Sequence, residues 1–209
     1  MRKKEGDKQA AIIEAAIKVF AQLGFHGAKI YHIADNAGIA TGTVYLYFSS
    51  KESILENIFE SAWKQLFKSM ETIINNTSLG SIEKFDFIIN AVFDYFNSNP
   101  PLAMVFVNEQ HRLVQKDNQQ FTGFYNKTIG LIERYLREGI LDKAFDSSID
   151  PVIYSNFIFG GLRYLLLQWA HDQKSYPLDM IRKCVKNLVL SGIVGKNLTN
   201  SVAFNDVAF

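Results

Sequence analysis

Apolar residues recur at helical spacing from the start of the chain. Ile12, Ala15, Ala16, Val19, Phe20 and Leu23 fall on one stripe, which predicts a first helix from about Asp7 to Leu23. Gly24 follows and is suited to stop it. A second short helix is predicted over Ile30–Ala37, with Ile33, Ala34 and Ala37 inward and Gly38 as its terminator. A third is predicted over Thr41–Phe48, with Val44 and Phe48 on its inner face and the Thr41 hydroxyl placed to cap it. The small residues Ala34 and Gly38 let two helices cross closely, as a helix-turn-helix requires.

Ser50 is a good N-cap for a fourth helix, predicted to run to about Asn75. Its apolar stripe, from Ile54 through Phe59, Trp63 and Met70 to Ile74, is too wide for one partner. Further periodic stretches predict helices over Ile82–Asn97, Leu102–Val114, Asn118–Gly139, Pro151–Asp172 and Pro177–Val194. Asn99-Pro100-Pro101 breaks the chain between the first two of these, and Pro151 suits a first helical turn. No alternating strand pattern is present. The expected fold is all-α: a three-helix helix-turn-helix head over residues 1–51, and a six-helix body over 52–209 for effector binding and dimerisation.

Composition agrees with helices, with 17 Phe and 9 Tyr but only 4 Pro in 209 residues. The formal net charge of +1 hides a division: residues 1–51 carry seven basic and four acidic side chains, so the positive end is the end with the helix-turn-helix pattern. The single cysteine, Cys184, leaves no disulfide within the chain and no cysteine zinc cluster. His111 near Glu109 lacks a third ligand, so no metal site and no cofactor are expected. The charged start MRKKEGDKQ has no secretory pattern. The apolar run FIFGGLRYLLLQWA is interrupted by Arg163 and is too short to span a bilayer. A cytoplasmic protein without membrane attachment is expected, associated with the nucleoid when bound to DNA. No nucleophile–base or paired-carboxylate constellation stands out, which argues against an enzyme.

The stretch GIATGTVYLYF, Gly38–Phe48, followed by SSKESIL, carries the most information. Together with Ala15-Ala16, Phe20, Gly24-Phe25, Ile33-Ala34 and Ala37-Gly38-Ile39, it resembles the DNA-binding head of the TetR family of bacterial transcriptional regulators. The resemblance covers residues 10–55, and the nine-helix total and length fit it. Ala28, Lys29 and Ala40 stand where many members have Thr or Ser, so the second helix is expected to lack a side-chain cap. Lys29 is expected to supply a phosphate contact instead. More loosely, the body is similar to fatty-acyl-CoA-responsive members, through IFGGLRYLLLQWAHDQKSY and LVLSGI.

These readings predict a DNA face made by Lys29, Thr41, Gly42, Thr43, Tyr45, Tyr47 and Lys51. Thr41 and Thr43 would meet base edges, with Gly42 leaving room for the groove wall. The two tyrosines and Lys51 would meet phosphates. The basic segment Arg2-Lys3-Lys4 is expected to be a solvated start. Expected effector contacts are Phe93, Phe96, Met104, Phe106, Arg112, Phe124, Tyr125, Phe159 and Trp169. Lys116 and Arg163 are further candidates for an anionic head group.

Two heads one helical turn apart, ~34–36 Å, would read a palindromic operator, which calls for a homodimer. The resemblance places the dimer interface on the last two helices. The expected residues are Gly160, Gly161, Leu162, Leu165, Leu166, Leu188, Val189, Ser191, Gly192 and Ile193. The leading expectation is a repressor released by a small amphipathic effector such as a long-chain acyl-CoA. Two alternatives stand beside it: a repressor of an efflux or detoxification gene answering lipophilic drugs, and a constitutive architectural DNA-binding protein without ligand.

Overall fold

The computed structural model describes residues 5–115 and 119–194, with side chains described over 8–110 and 122–194. The described residues form nine helices and no strand: α1 Glu5–Gly27, α2 Ile30–Ala37, α3 Thr41–Tyr45, α4 Lys51–Ile74, α5 Ser81–Asn97, α6 Pro100–Gln115, α7 Gln119–Leu141, α8 Pro151–His171 and α9 Leu178–Ile193.

The chain forms two compact units. Of the described residues, those within 1–65 and 96–125 make up the first, and those within 66–95 and 126–194 the second. In the first unit α1 buries the predicted stripe at Ile12, Ala15, Ala16, Val19 and Phe20. Leu23 instead is 48% exposed, because the helix breaks one residue later. At Gly24 φ is 66° and ψ 163°, a combination that only glycine adopts readily. The chain then makes one more turn, and the Ala28 N–H returns to the Gly24 carbonyl at 3.1 Å.

α2 ends at Gly38, which is left-handed (φ 67°) and returns its N–H to Asp35. The Ile39 N–H goes back to Ala34 at 3.0 Å, closing the turn before α3. Val44 and Phe48 are buried beneath α3 as expected. The helix is shorter than its pattern suggested, and its final segment is a turn. Ser50 caps α4 through a reciprocal pair: its hydroxyl accepts the Ser53 N–H, while the Ser53 hydroxyl oxygen accepts the Ser50 N–H, both at 3.2 Å. Pro100 and Pro101 occupy the first turn of α6, where a missing N–H costs nothing, so they open that helix rather than precede it. α1 packs against α6 within this unit.

In the second unit α5 and α9 are joined by a polar ladder. Asp86, Asn90 and Asp94, four residues apart on α5, meet Lys186 and Arg182, four apart on α9. Arg182 reaches the Asp94 carboxylate at 2.6 Å and the Asn90 carbonyl oxygen at 3.1 Å, and Lys186 reaches Asp86 at 2.5 Å. The end of α7 is tied by Tyr135, whose hydroxyl donates to the Ser81 carbonyl at 2.6 Å. The Tyr135 ring lies edge-on to Phe145 at 5.5 Å. α8 is capped by Asp150, which accepts the N–H groups of Val152 and Ile153. No described helix is long and apolar enough to cross a membrane.

Candidate nucleic-acid interface

The first unit presents α3 outward. Thr41, Gly42, Tyr45 and Leu46 are exposed, while Thr43 and Tyr47 are half-buried. A Cβ at Gly42 would meet nothing within 4 Å, so the surface there is open. Ala28, Lys29, Ile30, Tyr31, Thr41, Tyr45 and Lys51 line one shallow depression. Of the expected contact residues, the fold therefore brings Lys29, Thr41, Tyr45 and Lys51 together.

Three details depart from expectation. Thr41 does not cap α3: the N-cap is Ala40, which has no side-chain acceptor, and Thr41 is the first helical residue. The Thr43 N–H is satisfied by the Ala40 carbonyl at 2.8 Å. The start of α2 does find a side-chain partner, but from within: His32 Nδ1 accepts the Lys29 N–H at 3.2 Å. The Lys29 side chain itself is left exposed to solvent.

The third departure is Lys51. Its ammonium lies 2.6 Å from the Phe25 carbonyl, 3.0 Å from that of Ala28 and 3.4 Å from that of His26. It also sits 4.5 Å above the Phe25 ring. An ammonium has three N–H donors, and all three are directed at backbone. These backbone contacts are what the expectation of a phosphate contact by this side chain did not include. Sequence reasoning missed Leu46 and Tyr31. Leu46 is 82% exposed at the end of α3, and Tyr31 stands at the rim of the depression. An apolar leucine just after a short helix that carries two threonines is the signal that could have found Leu46.

Comparison with known proteins decides the family. Residues 12–58 match the family model for bacterial regulatory proteins of the tetR family, and residues 59–192 match that for the YsiA-like protein C-terminal region. The chain is 31% identical over 198 residues to the fatty acid metabolism regulator protein of Bacillus subtilis, covering 93% of this chain and all of that one. The chain belongs to the TetR family.

Solved structures agree. The fatty acid degradation regulator FadR of Bacillus halodurans superimposes with a TM-score of 0.80 at 29% identity, covering 91% of this chain and 98% of that one. FadR of B. subtilis in complex with stearoyl-CoA gives 0.77 at 29% identity, covering 88% and 98%. As a TetR-family member the protein is a DNA-binding transcriptional regulator under ligand control, and not an enzyme.

The TetR-family body carries the remaining expected residues. In the first unit Phe106 is the centre of an aromatic cluster. Phe59 stacks on it at 5.1 Å, and Trp63 and Phe96 lie tilted at 5.2 Å each. Tyr125 meets Trp63 edge-on at 6.3 Å. Met104 and Phe124 are half-buried, and Lys64 holds its ammonium 5.7 Å from the Phe124 ring. In the second unit Phe93 is fully buried with the Arg182 guanidinium 5.9 Å from its ring centre, Trp169 is buried, and Phe159 is half-buried. Arg163 is exposed. The side chains of Arg112 and Lys116, and the segment Arg2–Lys4, lie outside the described residues.

Within the second unit α8 and α9 expose apolar surface. Gly160, Gly161, Leu188, Ser191 and Gly192 are exposed, and Leu162, Leu165 and Val189 half-exposed. Leu166 and Ile193 are corrected: both are buried in the unit's own core and offer no surface. The outward positions that sequence reasoning missed are Ile153, Phe157 and Tyr164 on α8 and Met180 on α9. Ile153, Phe157, Gly160, Gly161 and Tyr164 form one stripe at helical spacing. α8 carries apolar residues on every side, so its periodicity alone could not say which face is outward.

Proposed function

We propose that this chain is a homodimeric repressor that leaves a palindromic operator when a long-chain acyl-CoA binds. The observation that carries the effector class is the likeness, at 29% identity over most of both chains, to a regulator solved with stearoyl-CoA. The aromatic cluster around Phe106, with Phe96, Met104, Phe124 and Tyr125, is chemically suited to an acyl chain. Residues 1–51 read DNA, and 52–209 bind effector and partner.

Thr41, Thr43 and Leu46 meet base edges, with Gly42 admitting the groove wall; Lys29, Tyr45 and Tyr47 meet phosphates. The exposed stripes of α8 and α9 supply the dimer face, and a two-fold axis through them delivers two heads to successive major grooves, ~34–36 Å apart. Operator and effector then compete through a two-state body. Inverting a 99:1 population requires an effector preference of about 10⁴-fold for the released state. The protein acts in the cytoplasm, on the nucleoid.

Fluorescence anisotropy on DNA from upstream of the protein's own gene tests this. Titrating stearoyl-CoA or palmitoyl-CoA into the complex should release it, while free fatty acid and free CoA should not. A complex that persists through the titration removes acyl-CoA as the effector, and release by lipophilic drugs would put the detoxification reading in its place. Thr43→Ala should weaken binding by ~1–3 kcal/mol, a lost base contact, with the dimer intact.

A further inference from the structure

Lys51 and Glu109 hold opposite ends of one residue. Lys51, at the start of α4, donates to the Phe25 carbonyl at 2.6 Å; Glu109, buried on α6, accepts the Phe25 N–H at 3.4 Å. The Phe25 ring is itself buried, tilted against Phe20 at 5.4 Å. Phe25 begins the connection that leads from Gly24 to Lys29 and so sets where α2 starts. Lys51 extends the grip along that connection to the carbonyls of His26 and Ala28. A cation at the C-terminal end of a helix is electrostatically favoured.

We propose that Lys51 is a positioning residue for DNA binding: it fixes the α1–α2 connection that carries Lys29 and α3, and phosphate neutralisation falls to other groups. Glu109 secures the same residue from its other side. The inference rests on the reading of this face as the operator-binding surface. It separates sharply from a phosphate contact, because neutralised phosphates set the salt dependence of binding and position does not.

The test is operator affinity across a range of salt concentrations, well below the melting temperature, for wild type, Lys51→Met and Glu109→Ala. A DNA fragment selected by the wild type from a random pool serves as probe. If Lys51 positions the head, Lys51→Met binds about tenfold or more weakly at every salt concentration, with the slope of log K against log salt unchanged. Glu109→Ala weakens binding as well, although removing an acidic charge should strengthen attraction to DNA.

A slope shallower by ~1.8 in Lys51→Met, one phosphate lost per head of a dimer, would overturn the proposal. So would unaltered affinity in both variants, which would leave the clamp a matter of stability only. Should Lys51→Met fail to fold, Glu109→Ala decides by the sign of its effect. A wild type that selects no sequence from the pool defeats the operator reading itself, a result distinct from any of these.

Discussion

Phe157 gives the most direct test of the proposed dimer face. It is 68% exposed, so truncating it removes almost nothing from the unit's own core. A phenylalanine side chain offers ~150–250 Å² for burial. At about 25 cal/mol per Å², covering the exposed part and then losing it to Phe157→Ala is worth ~2 kcal/mol in each protomer. A two-fold interface contains the residue twice, giving ~4 kcal/mol per dimer, or about a 10³-fold rise in the dimer dissociation constant. Sedimentation equilibrium over a dilution series measures this directly.

Cys184 supplies an internal reporter. It is exposed and lies four residues from both Met180 and Leu188 on α9. Thiol alkylation should therefore be slow in the wild-type dimer and fast in Phe157→Ala at equal concentration. Leu166→Ala is the contrasting control. Leu166 is buried, so its truncation should lower unfolding stability by ~2–5 kcal/mol and leave the association constant of the folded protein in place. An unchanged dissociation constant in Phe157→Ala, with Cys184 alkylated equally fast in both proteins, would refute α8 and α9 as the dimer face.

Two further outcomes concern the second unit. Burial pushes the Tyr95 phenol up to about 12 and holds that of Tyr135 far above the ordinary phenol range. In the unfolded chain both titrate near 10, so above that pH the unfolded state releases protons that the folded state retains. Stability should accordingly be flat with respect to these groups below pH ~10 and fall as pH rises beyond it. Tyr135→Phe should soften that alkaline fall in a urea-unfolding series, while costing ~1 kcal/mol at neutral pH for the lost bond to Ser81. At Gly139 an added Cβ would lie 2.2 Å from the Phe145 ring. Gly139→Ala should therefore destabilise by ~1–3 kcal/mol on overpacking, more than the helix propensity it gains; a raised urea midpoint would contradict this.

The head was largely legible in the sequence because its information is local. Gly24 and Gly38 mark their breaks through backbone torsions that side chains cannot override, and Ile33, Ala34, Val44 and Phe48 occupy the inner face that their spacing dictated. The backbone contacts of Lys51 were not legible, because its partners lie more than twenty residues earlier, at carbonyls, which have no sequence signature. Thr41 was misplaced by a single position, since a cap is decided by the torsion of the residue before the helix and Ala40 adopted it. On α8, Leu166 and Phe157 are chemically alike, and only the packing of the folded unit sends one inward and the other out.

Gly24 bears on how this protein can change over generations. A Cβ at that position would meet nothing within 4 Å, so no neighbour resists a larger residue. The obstacle is chirality alone: a φ of 66° with a ψ of 163° is the mirror image of an extended conformation that ordinary L-residues enjoy. No second mutation that carves space elsewhere can therefore suppress a Gly24→Ala lesion, because there is no crowding to relieve. A semisynthetic chain carrying D-alanine at position 24, by contrast, should fold and bind DNA as the natural one does. The genetic code offers no residue with that handedness, which leaves the break between α1 and the α2–α3 pair closed to adaptive drift.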